Sequence, residues 1–154
     1  MKYIPFLLVL FFVGCNKALP PADLPPLVSC KVKVHDNGHP LPEIGIFFKR
    51  IEGHGGWGLS GQTGSDGVAI AQTVSGSYRA PGLPTGSYRI TLSERVELPP
   101  ELIGDSPAME AKQEQYRTER RTVPPILSDP SRTPLELVVD APGAELDIDI
   151  SRFK

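Results

Sequence analysis

The feature that most constrains this chain is a period of two. Val28, Cys30, Val32 and Val34 are apolar, and Ser29, Lys31, Lys33 and His35 fall between and after them. Such alternation turns one set of side chains to a core and the other to water, so the stretch reads as a half-buried strand. The pattern returns with Ile44, Ile46 and Phe48 in residues 44–51, and with Val68 and Ile70 in residues 68–74. It returns again with Tyr88, Ile90 and Leu92 in residues 87–93, and with Leu146, Ile148 and Ile150 between Glu145, Asp147 and Asp149. Shorter runs at 59–63 and 135–139 bring the expected strands to seven. Asp36-Asn37-Gly38, Ser65-Asp66-Gly67 and Ala141-Pro142-Gly143 supply turns between them. The 17 Pro and 15 Gly among 154 residues argue against a helix bundle, and the length suits one domain. The expected fold is all-β: an antiparallel seven-stranded β-sandwich over residues 28–154.

Residues 94–134 break the pattern. Ser106-Pro107 suits a helix start, with Pro at the first helical position. Glu110 and Glu114 come early and Arg117, Arg120 and Arg121 late, as a helix dipole prefers. The apolar face is thin, so a long loop or a short surface helix is expected before the last two strands.

The N-terminus is read as targeting rather than fold. Lys2 precedes an apolar run over 4–13, which is shorter than the ~20 residues a bilayer span needs. The run ends in Gly14-Cys15, which resembles the lipobox of bacterial lipoproteins. The resemblance implies that residues 1–14 are a lipoprotein signal peptide and that Cys15 is lipidated. The partner would then be the membrane, reached through the N-terminal lipid. The location would be the bacterial cell envelope, periplasmic or surface-facing. Residues 15–27 follow as a tether: Pro20, Pro21, Pro25 and Pro26 favour polyproline II. With Cys15 acylated, Cys30 has no cysteine left to pair with and is read as a small core residue.

Three segments together carry a family resemblance. The first is VSCKVKVHDNGHPLPEIGIFF over 28–48. The second is GQTGSDGVAI over 61–70, followed by GLPTGSYRITL over 82–92. The third runs from 123 to 150, with Pro124-Pro125-Ile126, Asp129-Pro130, Thr133-Pro134-Leu135 and a closing LDIDI. In this order they resemble the small bacterial lipoproteins described as carboxypeptidase regulatory-like or transthyretin-like. The resemblance implies a seven-stranded sandwich in the envelope and no established activity.

Candidates for chemistry are few. Sixteen basic against 18 acidic residues give a formal charge of −2, which argues against a nucleic-acid partner. There is no G-x-S-x-G elbow, and no catalytic residue is expected. His35 and His39 flank a turn, whereas a metal site needs three or four convergent ligands, so neither metal nor other cofactor is expected. Glu145, Asp147 and Asp149 read as the solvated side of an edge strand. Arg117, Arg120 and Arg121 read as a solvated helix face. The loop EGHGGWG over 52–58 carries the candidate binding residues His54 and Trp57, the latter the sole tryptophan. A large aromatic among glycines is a stacking platform for sugar or peptide, or a cover for an open end of the sandwich.

The expectation is therefore a non-enzymatic, lipid-anchored module with a structural or protein-interaction role. Its partner would be an envelope protein or glycan. The alternative is a small-ligand or carbohydrate-binding lipoprotein using the Trp57 loop. A metal-assisted hydrolase stands third.

Overall fold

The computed structural model describes residues 19–53, 56–140 and 143–154. Its strands are β1 (Leu27–Val28), β2 (Cys30–Asp36), β3 (His39–Pro40), β4 (Gly45–Arg50), β5 (Gly58–Gln62), β6 (Val68–Ile70), β7 (Gln72–Ser75), β8 (Tyr78–Pro81), β9 (Leu83–Pro84) and β10 (Gly86–Ser93). Helices α1 (Pro107–Arg120) and α2 (Pro125–Ser128) follow, then β11 (Glu136–Val139) and β12 (Ala144–Asp149). Short 3-10 turns lie at Pro100–Leu102 and Ile150–Phe153.

One sheet has six strands in the order β11-β10-β4-β5-β7-β8. The second runs β12-β2-β3, with β6 also paired to β2, and β1 and β9 form a separate ribbon. The alternating residues of both larger sheets meet in one core. Cys30, Val32, Val34 and Ile148 come from the second sheet, and Ile46, Phe48, Tyr88, Ile90 and Leu92 from the first. The fold is mostly β, with two helices inserted before the last two strands, and is consistent with the expected sandwich.

The strand count is corrected from seven to twelve among the described residues. The stretch 68–74 is two strands in different sheets, because the chain changes layer at the fully buried Ala71. Ala71 N–H donates to Cys30 C=O at 3.0 Å, and Ala71 C=O accepts from Gly82 N–H at 2.7 Å. Strands β1, β3 and β9 have two residues each, too few to show an alternation. The wholly antiparallel expectation is corrected too: β12 lies parallel to β2. Its register sets Glu145 beside Lys31, Asp147 beside Lys33 and Asp149 beside His35. The acidic stripe thus runs alongside a basic one, and Asp147 meets the His35 ring at 2.8 Å.

The turn at Asn37-Gly38 has the expected positive φ at both residues, +51° and +83°. In the tether, Leu24 N–H closes a turn on Pro21 C=O. The insertion before the last two strands is helical. The Ser106 side chain caps Met109 N–H, and Pro107 occupies the first turn. No residue of α1 is buried, so polar contacts and its flanks hold it. The Gln113 amide donates to Leu102 C=O and Gly104 C=O at 2.8 and 2.9 Å. The Glu94 carboxylate accepts from Thr122 and Val123 N–H just past its end, where Val123 and Leu127 enter the core. The arginines of α1 make surface contacts: Arg117 with Glu114, and Arg120 over the Tyr116 ring.

Candidate functional site

Strand pairing itself opens the most concave feature near the Trp57 loop. Strand β4 stays paired with β10 as far as Arg50, which lies opposite Tyr88. Strand β5 stays paired with β7 as far as Gly58, opposite Val74. Between β4 and β5, however, pairing ends at Phe47 opposite Ser60. Beyond that point the two strands part and leave a wedge of about 520 Å³. Its walls include Phe47, Phe48, Arg50, Ile51, Trp57 and Leu59. Ile51 N–H donates to Ser87 C=O, so the odd-numbered residues of β4 turn their backbone groups to β10. In an antiparallel ladder the even-numbered Phe48 and Arg50 therefore turn theirs towards β5 and the wedge.

Trp57 is half-buried against the core and lines the wedge. Gly53 supports the loop with φ +77°. His54, the other candidate binding residue, lies outside the described residues, as does the lipidation candidate Cys15.

Arg50 was not singled out by the sequence. Its Nη2 donates to Thr85 C=O at 2.9 Å, and its guanidinium lies over Gly86, where an added Cβ would approach Nη2 to 3.1 Å. Its Nε is buried with no hydrogen-bond partner among the described residues. Behind it, the Tyr88 hydroxyl donates to Pro84 C=O, and the ring meets Phe48 edge-on at 6.4 Å. Burial pushes the Tyr88 hydroxyl pKa up, with the Arg50 charge opposing it. Phe47 was missed too, although the sequence held a signal. Two adjacent phenylalanines on one strand must face opposite ways, so one of them faces out. Phe48 is buried and Phe47 is 51% exposed.

Histidine and carboxylates also meet, but elsewhere. Gly38 N–H donates to His35 Nδ1 at 3.1 Å. Nε2 lies 2.8 Å from Asp147 Oδ1, and Nδ1 lies 3.7 Å from Asp149 Oδ1. Asp149 Oδ1 also accepts from the Ser151 hydroxyl and from Asn37 and Ser151 N–H. The cluster ties the β2–β3 turn to the C-terminal 3-10 turn. Among the described residues no group of three or more His, Cys, Asp or Glu side chains could hold a metal ion. Cys30, free and fully buried, has its thiol pKa pushed up by that burial, which leaves it a packing residue.

The cluster carries a pH signature. The Ser151 hydroxyl holds the Asp149 carboxyl below the usual carboxylate range, against a smaller opposing effect of burial. Asn37 N–H, Ser151 N–H and His35 add to the lowering. A carboxyl with a lowered folded pKa stabilises the fold above its unfolded value, about 3.9, and loses that contribution as pH falls through the folded value. The urea midpoint of the Asp149→Ala variant should lie below that of the wild type at pH 7. The gap should narrow as pH falls from about 4 towards 2. A gap of constant size over that range would refute the linkage.

No protein-family model, curated protein or solved structure matches this chain. Among the described residues no helix is long and apolar enough to cross a membrane.

Proposed function

We propose that the chain is a lipid-anchored, non-enzymatic module of the bacterial cell envelope that binds an envelope protein or glycan through the end of the sandwich carrying Trp57. The single observation behind the binding role is the wedge between β4 and β5, a concave apolar hollow with Trp57, Phe47 and Arg50 among its walls. Apolar hollows with a few placed polar groups are where proteins usually take ligands. Support for the envelope address is the Gly14-Cys15 sequence behind its apolar run. Support for kinship with the carboxypeptidase regulatory-like or transthyretin-like lipoproteins is the order of motifs along a two-layer β fold. A metal-assisted hydrolase has less behind it. His35 already engages Gly38 and Asp147 through its two ring nitrogens, and no carboxylate or histidine among the described residues lines the wedge.

The test has two readouts in a bacterial host. The mature N-terminus should carry acyl mass at Cys15, and Cys15→Ala should abolish it. The unacylated Cys15→Ala chain should then co-sediment with washed envelope fragments, and adding Trp57→Ala should weaken that binding about tenfold in protein that circular dichroism shows to be folded at the assay temperature. Unmodified wild type overturns the anchor. Unchanged sedimentation of the Trp57→Ala variant overturns the binding end.

A further inference from the structure

A second hollow adjoins the first. On the outside of the corner where the chain passes from β6 to β7 lies a groove of about 620 Å³. Ser60, Gly61 and Gln62 line it together with Phe47, Gln72 and Arg79. Phe47 lines both the groove and the wedge, so the two hollows meet at its ring. The ring leans towards Gly45, where an added Cβ would lie 3.4 Å from Phe47 Cε2. Register places Phe47, Ser60 and Gln72 in one row across β4, β5 and β7. At about 4.8 Å between strands, that row runs roughly 10 Å from the aromatic ring to the amide.

We infer that this outer face binds an oligosaccharide chain, laid across Phe47 from the Trp57 wedge into the groove. The inference rests on the reading above that the Trp57 end is the binding end. The chemistry of the lining selects the class. Two aromatic side chains offer flat apolar faces for the C–H faces of sugar rings. Gln62 and Gln72 each offer an amide donor and acceptor, Ser60 a hydroxyl and Arg79 a planar fork of donors, all suited to sugar hydroxyls. Val68 and Ile70 also line the groove, but an acyl chain laid there would strip water from Ser60, Gln62 and Gln72 and return no hydrogen bonds, at a cost of roughly 1–3 kcal/mol per group. Arg79 lines the groove and Lys49 and Arg50 line the wedge, so the floor of the site is rich in hydrogen-bond donors. Two hollows joined at one ring suit a chain of several sugar units better than a single sugar.

The probes are cellotetraose, chitotetraose and maltotetraose, with glucose and N-acetylglucosamine as monomer controls. The protein is the full chain carrying Cys15→Ala. Trp57 is the only tryptophan, so its emission reports binding without a label. At least one tetramer should shift that emission and bind about tenfold tighter than its monomer. Phe47→Ala and Gln72→Ala should each weaken the tetramer about tenfold with unchanged thermal midpoints. Both positions are exposed, so either variant alone keeps the test usable. If no tetramer binds, or if both variants bind like the parent, the inference is overturned. Loss of envelope binding in Trp57→Ala without any response to the tetramers overturns the glycan inference and leaves the binding end standing. Unchanged envelope binding in Trp57→Ala overturns the binding end itself.

Discussion

Tyr88→Ala is expected to lower the stability of the domain by about 3–5 kcal/mol, among the largest effects a core substitution gives. Tyr88 is fully buried on β10, next to the centre of the six-stranded sheet. Its ring packs edge-on against Phe48, and its hydroxyl donates to Pro84 C=O on β9. Truncation removes the ring contacts and leaves a cavity beside Arg50, the residue paired with Tyr88 across β4. It also strands the Pro84 carbonyl. Tyr88→Phe separates the two effects. The ring stays, only the hydrogen bond goes, and the expected cost is about 1 kcal/mol. Urea denaturation of the three proteins measures both gaps. An Ala variant that loses no more than the Phe variant would refute the packing described for this ring.

Gly67→Ala is expected to be nearly as damaging although it adds a single methyl group. Gly67 has φ +72°, a region that costs an L side chain strain. The added Cβ would fall 2.6 Å from Val34 C=O and 3.0 Å from Pro40 Cβ. That carbonyl is already engaged, accepting from Leu41 N–H at 3.0 Å, and Gly67 C=O in turn accepts from Val34 N–H at 2.9 Å. The methyl group therefore has to push apart the backbone junction between β2 and the 64–67 turn. Strain of this kind costs about 1–3 kcal/mol, and the clash adds to it. Gly76→Ala is the control. Gly76 also has positive φ, +56°, but an added Cβ there meets nothing within 4 Å. It should cost about 1 kcal/mol from the backbone alone. Equal losses in the two variants would show that the close approach at Gly67 carries no energy.

Much of the candidate site was hidden from sequence reading, and particular residues show why. Trp57 stood out because a lone tryptophan among glycines is a local anomaly. Phe47 was legible in principle, since its neighbour Phe48 has the inward position of the alternation. Arg50 and the wedge were not legible, because they depend on where β4 stops pairing with β5 while both continue with other neighbours. Gln72 falls in the stretch 68–74 that alternation reads as one strand, whereas Arg79 lies in 75–86, a stretch so rich in Pro, Gly and Ser that it reads as turn, yet β8 there is the outermost strand of the six-stranded sheet.

Local grammar was legible in the residues alone: which residues alternate, that Asn37-Gly38 turns with positive φ, and that Ser106-Pro107 suits a helix start, although loop or helix stayed open there until the structure gave 14 helical residues. Each of these follows from residues within a few positions of one another, through side-chain periodicity or backbone preference. Only the tertiary structure decided the partners. Ala71 marks the change of layer because its N–H goes to Cys30 C=O, 41 positions away on β2, while its C=O takes the Gly82 N–H just past β8. Strand β12 runs parallel to β2, a direction its charges leave open, since its acidic row would meet Lys31, Lys33 and His35 in either orientation. Phe47 joins two hollows because β4 and β5 part at Ser60. These choices are made by hydrogen bonds and packing between segments distant in sequence, and a period of two is equally satisfied by any of the pairings they rule out.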